Sequence, residues 1–164
     1  MTRWDFRPHG TIVDEETFAC VTEVETRQAA RLQYAVSMLT VFRHPDGATV
    51  SGQETAERLA EMISSLVRNT DVIQVIPGAG AVRVLLVGGE LEDLRTIVQR
   101  IISEVSLYMF AGEGTFVVKI GGACYPATAG SSQELLLQAD ALAEEALREQ
   151  GEFSTFRLSE RTAS

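Results

Sequence analysis

Residues 52–86 read GQETAERLAEMISSLVRNTDVIQVIPGAGAVRVLL, and this stretch decides the fold. Its first part places apolar residues three and four positions apart, which predicts an amphipathic helix that ends near Asn69. Two apolar, β-branched runs follow at 72–76 and 82–87, and the turn residues Pro77-Gly78-Ala79-Gly80 between them predict a hairpin. The stretch therefore predicts a helix followed by two antiparallel strands.

The flanking sequence continues this alternation of helices and strands. Asp14 is a good N-cap for a helix that ends near Leu32 and presents Phe18, Val21 and Val24 on one face. Ser51 and Glu54 form a capping box before the helix of the opening stretch. Further strands are predicted at 34–42, 116–125 and 153–158, and further helices at 91–105 and 131–147.

This order predicts an α/β (α+β) domain with one mixed central sheet of about five strands flanked by helices. The strand at 34–42 is apolar almost throughout, which favours a central position. Gly121-Gly122 interrupts a later strand and indicates a bulge or a close backbone approach. Residues 1–13 show no period and are predicted to form an N-terminal arm. The domain then covers 14–158, and 159–164 form a polar tail.

Composition narrows the function classes. The formal net charge of −9 disfavours a nucleic-acid polymer as partner, because phosphate contacts need clustered Lys and Arg. The cysteines Cys20 and Cys124 and the histidines His9 and His44 have no metal-site spacing, so no metal site is predicted. No apolar run is long enough for a membrane span or a secretion signal, and we expect a cytoplasmic protein with reduced cysteines.

Five local patterns occur in an order and spacing that are difficult to obtain by chance. They are Gly52-Gln53, the apolar helix positions Ala60 and Ile63, Arg68-Asn69-Thr70-Asp71, residues 118–126 and residues 134–146. Together they resemble the GGDEF domain, the diguanylate cyclase domain of bacterial second-messenger signalling. The resemblance covers about residues 14–158 and implies the nucleotide-cyclase type of mixed sheet.

The chemistry that the resemblance implies is not supported by the residues. Diguanylate cyclases join two GTP molecules and need carboxylates to hold Mg²⁺ against the phosphates. The family's D-x-D-x-F-K pattern corresponds to Met38-Leu39-Thr40-Val41-Phe42-Arg43, and its G-G-D/E-E-F hairpin to Pro77-Gly78-Ala79-Gly80-Ala81. The loop at 44–47 is shorter than the family's guanine-recognition loop, and Val75 and Leu147 replace a family arginine and lysine. We therefore expect a degenerate domain that is not an enzyme and needs no cofactor.

One pattern with a functional interpretation is retained. In the family, R-x-x-D is an inhibitory site that binds cyclic di-GMP, and here Arg68 and Asp71 occupy it, with Arg100 as a candidate second arginine. An arginine can fork onto guanine or phosphate, and an aspartate can accept from guanine. Both residues also suit a helix-to-strand turn without any ligand. The hairpin residues are likewise either a simple turn or a flat contact surface.

Two functional hypotheses follow. The first is a catalytically inactive GGDEF-like module that acts in bacterial signalling or scaffolding through protein–protein contacts. The alternative is a cyclic di-GMP receptor that uses Arg68 and Asp71. A homodimer is compatible with both, with the aromatic residues Trp4 and Phe6 of the arm as a contact. An enzyme of another type is not indicated, because no nucleophile–base pair or carboxylate cluster has useful spacing.

Overall fold

The computed structural model describes residues 10–43, 52–76, 78, 80–107, 117–149, 151 and 153–161, with only the backbone at 52–55. Along these residues the elements are β1 (Thr11–Val13), α1 (Glu15–Leu32), β2 (Val36–Arg43), α2 (Gly52–Ser64), β3 (Val72–Ile76), β4 (Ala81–Val87), α3 (Leu91–Ser106), β5 (Val118–Tyr125), α4 (Ser132–Arg148) and β6 (Thr155–Leu158).

The strands form one mixed sheet in the order β1-β3-β4-β2-β5-β6. The outer pairs β1–β3 and β5–β6 are parallel, and the three inner pairs are antiparallel. The fold class, the β3–β4 hairpin and the central place of β2 are confirmed. None of the helices in the described part of the chain combines the length and apolarity needed to span a membrane.

The sheet has six strands rather than about five, because β1 joins its edge. Residues 11–13 belong to the stretch assigned to the arm, and residues 1–9 lie outside the described residues. The Thr11 N–H donates to the Asp71 carbonyl at 3.0 Å, and Gly10 exchanges hydrogen bonds with Ser64. These backbone bonds hold a segment too short to show any hydrophobic period.

Two predicted helix starts show the expected caps. Asp14 Oδ1 accepts from the Thr17 N–H at 2.7 Å, and Ser131 Oγ accepts from the Glu134 N–H at 3.1 Å. Both bonds satisfy first-turn N–H groups that have no partner within the helix. The capping box predicted at Ser51 lies outside the described residues.

Helix α1 packs through part of the predicted face, because Phe18 and Val21 contact the core, whereas Val24 is exposed. Phe18 is buried as expected, but Val24 is 46% exposed and the buried positions below Phe18 are Thr22 and Thr26. Their hydroxyls donate to the carbonyls four residues earlier, at 2.7 and 2.6 Å. Threonine can enter the core here because the helix backbone satisfies its polar atom.

Helices α2 and α3 cover one face of the sheet, and α1 and α4 cover the other. On the second face, a Cβ on Gly121 would lie 2.1 Å from the Ala143 nitrogen and 2.3 Å from the Ala139 carbonyl oxygen. The pairing of β5 with β2 runs through Gly121 without a bulge. The predicted close backbone approach is therefore confirmed, and α4 lies directly on β5.

Candidate functional site

The hairpin between β3 and β4 has no acidic side chain among its described residues. Gly78 and Gly80 adopt positive φ angles of 75° and 62°, which glycine tolerates best. Ala81, the last residue compared with the family signature, is fully buried and pairs with Phe42. Pro77 and Ala79 lie outside the described residues.

Strand β2 places the positions compared with the family's acids inside the sheet. Met38 is fully buried in the core beneath α1 and α4, and Thr40 donates to Asp140 Oδ1 at 2.6 Å. The register places Phe42 and Arg43 beside the hairpin, where the Arg43 N–H donates to the Gly80 carbonyl at 3.4 Å. Strand β2 contains neither aspartate nor glutamate, so a shift of the comparison by a few residues along this strand would not bring in a carboxylate.

The absence of acids extends to all six described strands, which contain neither aspartate nor glutamate. Their charged residues are Arg43, Arg83, Lys119 and Arg157. Among the described residues, no group of three histidines, cysteines or carboxylates is placed to hold a metal ion. Proteins usually hold Mg²⁺ through carboxylate oxygens, and the described strands have no carboxylate.

At the opposite end of the β3–β4 ladder, Asp71 is buried and accepts hydrogen bonds from the backbone. It is 4% exposed, and its two carboxylate oxygens accept from the N–H groups of Arg68 and Val87 at 2.8 and 2.9 Å. Burial raises the pKa of the Asp71 carboxyl, although these backbone hydrogen bonds act in the opposite direction. Asp71 therefore joins the segment after α2 to the end of β4.

Arg68 and Asp71 line one groove, whereas Arg100 lies outside its lining. The groove measures about 310 Å³ and is closed by the α3 residues Asp93, Thr96 and Ile97. Arg100 is exposed and follows Thr96 and Ile97 by one turn on the same helix face. The structure thus brings two of the three candidate residues together and adds a second carboxylate, Asp93, that weakens the attraction of phosphate.

A polar cluster on the other face of the sheet was not identified from the sequence. Arg83 donates through Nε and Nη2 to the two oxygens of Asp140 at 3.2 and 2.7 Å, and through Nη1 to Gln74 Oε1 at 3.4 Å. Thr40 is the fourth member of this cluster, because its hydroxyl donates to Asp140. The available signal was that Gln74 and Arg83 interrupt apolar strands, and their register makes them direct partners.

The sequence matches no protein-family model. It also matches no curated protein sequence. Solved structures do match. The GGDEF domain of YfiN (TpbB) from Pseudomonas aeruginosa superposes with a TM-score of 0.79 at 21% identity, covering 91% of each chain. This chain has the GGDEF fold.

Two further structures with the GGDEF fold were solved with a ligand or a partner. The GGDEF domain of DgcB from Caulobacter crescentus in complex with c-di-GMP gives a TM-score of 0.75 at 16% identity, covering 95% of this chain and 96% of that chain. The diguanylate cyclase SiaD in complex with its activator SiaC, from P. aeruginosa, gives a TM-score of 0.71 at 15% identity. The match covers 88% of this chain and 58% of that chain. Identities this low establish the GGDEF fold, and function depends on the residues described above.

Proposed function

We propose that this chain is a catalytically inactive module of cyclic di-GMP signalling that acts through protein contacts. The observation that carries the proposal is that none of the six described strands, and no described hairpin residue, has a carboxylate. A cyclase must neutralise a triphosphate and align a hydroxyl with a phosphate, which metal ions held by carboxylates accomplish. Without those ligands, Mg²⁺ would be held only by water and backbone.

The protein-contact part of the proposal rests on two supports. The described residues form the GGDEF fold around a packed core, while their strands carry no carboxylate. The structure of SiaD, 58% of which this chain covers, was solved in complex with a protein activator, so a chain that contains a GGDEF fold can bind a protein. These two supports favour a bacterial signalling or scaffolding role.

Isothermal titration calorimetry with GTP and Mg²⁺ tests the inactive part directly. We expect no saturable heat, with or without the metal ion, from protein whose circular dichroism shows it to be folded. Saturable GTP binding that requires Mg²⁺ would overturn the proposal, because it would demonstrate a metal–triphosphate site.

A second candidate function is a cyclic di-GMP receptor, favoured by the groove that Arg68 and Asp71 share. The exposed guanidinium of Arg68 is available at the edge of the groove to fork onto guanine or phosphate. Asp71 already accepts two backbone hydrogen bonds, so it would offer the ligand only its remaining lone pairs. The c-di-GMP complex of DgcB is a second support for this candidate.

Isothermal titration calorimetry with cyclic di-GMP distinguishes the two candidate functions. If the chain is a receptor, cyclic di-GMP binds at micromolar concentration, Arg68→Ala removes the heat, and Arg100→Ala weakens binding about tenfold. Arg31→Ala, which removes an exposed arginine from α1, is the matched control and should bind as the wild type does. Equal heats from wild type and Arg68→Ala would exclude this groove as the binding site.

A further inference from the structure

The groove of Arg68 and Asp71 lies next to Gly10, the first described residue of the chain. The Thr11 N–H donates to the Asp71 carbonyl at 3.0 Å, and the same aspartate lines the groove. Strand β1 is parallel to β3, with Thr11 paired with Val72. The chain before Gly10 therefore joins the sheet at the end that carries the groove.

Residues 1–9, which lie outside the described residues, are long enough to reach this groove. Only β3 separates β1 from β4, and neighbouring strands lie about 4.8 Å apart, so β1 and β4 are about 10 Å apart. An extended chain covers about 3.3 Å per residue, so Phe6 and Trp4 can reach about 13 and about 20 Å from Gly10. Val87, at the end of β4, belongs to the lining of the groove and is within that reach.

The lining of the groove combines an apolar surface with acidic groups. Leu86 and Ile97 are the apolar part, and Ile97 is only half-buried, so its side chain is accessible from the groove. Asp71 and the exposed Asp93 supply two carboxylates against the single guanidinium of Arg68. This combination suits an occupant with an apolar surface and positive charge.

The amino-acid sequence of residues 1–9, MTRWDFRPH, has both properties. It contains the aromatic residues Trp4 and Phe6, and the arginines Arg3 and Arg7 outnumber its single acid. The whole chain has a formal net charge of −9, so this segment is basic within an acidic protein. Its charge is opposite to that of the groove.

We propose that residues 1–9 fold back over the groove of their own chain and cover it. The indole of Trp4 packs on Ile97, and the neighbouring Arg3 faces the carboxylate of Asp93. A ligand of this groove must then displace the segment, which makes it an autoinhibitory contact. The contact itself does not require that the chain binds cyclic di-GMP.

Fluorescence of Trp4 tests this proposal, because Trp4 is the only tryptophan of the chain. In the folded protein its emission maximum should lie at a shorter wavelength than in urea, and acrylamide should quench it less, because the indole is covered. Dilution should leave both values unchanged. Emission like that of the denatured chain would overturn the proposal. A blue shift that disappears on dilution would also overturn it, because the indole would then lie on a second copy of the chain.

Two matched variants locate the contact. Thr96 is exposed and lines the groove, so Thr96→Arg introduces a long cationic side chain there and should move the Trp4 emission towards that of the denatured chain. Ser103→Arg makes a similar change at an exposed position two turns further along α3, outside the lining, and should leave the emission unchanged. Circular dichroism verifies that both variants are folded. Equal emission from Thr96→Arg and wild type would exclude the groove. None of these measurements depends on the response to GTP or cyclic di-GMP.

Discussion

The two ends of the β3–β4 ladder are closed in opposite ways. At one end the buried carboxylate of Asp71 accepts hydrogen bonds from Arg68 and Val87. At the other end the described turn residues are Gly78 and Gly80. They have no side chains, and their positive φ angles allow the chain to reverse direction. The first end contains a buried acid that accepts backbone hydrogen bonds, whereas the described turn residues at the second end include no acid.

This difference separates acids that support the fold from acids that support chemistry. Removing Asp71 would leave the N–H groups of Arg68 and Val87, which make part-buried hydrogen bonds, without their acceptor. At the hairpin, the register of Ile76 with Ala81 continues to the turn without a described acid. The described part of this GGDEF fold is therefore well packed without an acid at the hairpin.

The largest expected effect is that of Asp71→Ala. The backbone N–H groups of Arg68 and Val87, which make part-buried hydrogen bonds to Asp71, lose their acceptor, and we expect the free energy of unfolding to fall by about 2 kcal/mol. Asp71→Asn should fall between alanine and wild type, because one amide oxygen still accepts. Denaturant unfolding measures all three proteins. A loss below about 1 kcal/mol for alanine would show that Asp71 does not close this end of the ladder.

Substitutions of Gly78 test the hairpin end of the β3–β4 ladder. A Cβ on Gly78 would meet no atom within 4 Å, so Gly78→Ala has only the strain of its positive φ to overcome, about 1 kcal/mol. Gly78→Asp should cost no more than alanine, because aspartate tolerates the left-handed region. The same unfolding experiment applies. A loss for either variant as large as that of Asp71→Ala would remove the contrast between the two ends.

The pH dependence of stability sharpens the description of Asp71. Because burial raises its pKa above the usual value of 3.8, the folded state holds a proton more tightly than the unfolded chain does. As the pH falls through the raised pKa towards 3.8, the wild type should gain stability relative to Asp71→Asn; above the raised pKa the difference should be constant. Unfolding free energies of both proteins at a series of pH values test this. A difference that does not change with pH would contradict it.

The smallest expected effect is that of Arg68→Ala on stability. The Arg68 side chain is exposed, and its backbone N–H still donates to Asp71 after the substitution. The free energy of unfolding should change by less than about 0.5 kcal/mol in the same denaturant experiment. A larger loss would mean that the guanidinium, and not only the backbone, stabilises the turn.

Much of the fold could be predicted from the sequence, because β2, the hairpin and the helix faces of α3 and α4 are long and strongly patterned. The short strand β1 could not, since three residues held by backbone bonds to a distant strand leave no periodic signal. The burial of Thr22 and Thr26 on α1 could not be predicted, because it depends on hydrogen bonds from their hydroxyls to the helix backbone.

The candidate site was predictable only in part. The sequence placed Arg68 and Asp71 together, because a helix-to-strand turn fixes residues three positions apart. It could not show that Asp71 also binds the N–H of Val87, sixteen residues later, since that contact depends on the sheet register. The cluster of Gln74, Arg83 and Asp140 likewise requires the packing of α4 on the sheet, which no local pattern encodes.

Assay of GTP turnover tests the central claim most directly. Folded protein is incubated with GTP and Mg²⁺, and the nucleotides are separated by anion-exchange chromatography, with a protein-free sample as the control. We expect the GTP to remain unconverted at every protein concentration. Formation of cyclic di-GMP in proportion to the amount of protein would contradict the account, because it would show that a GGDEF fold without carboxylates in its described strands still catalyses the reaction.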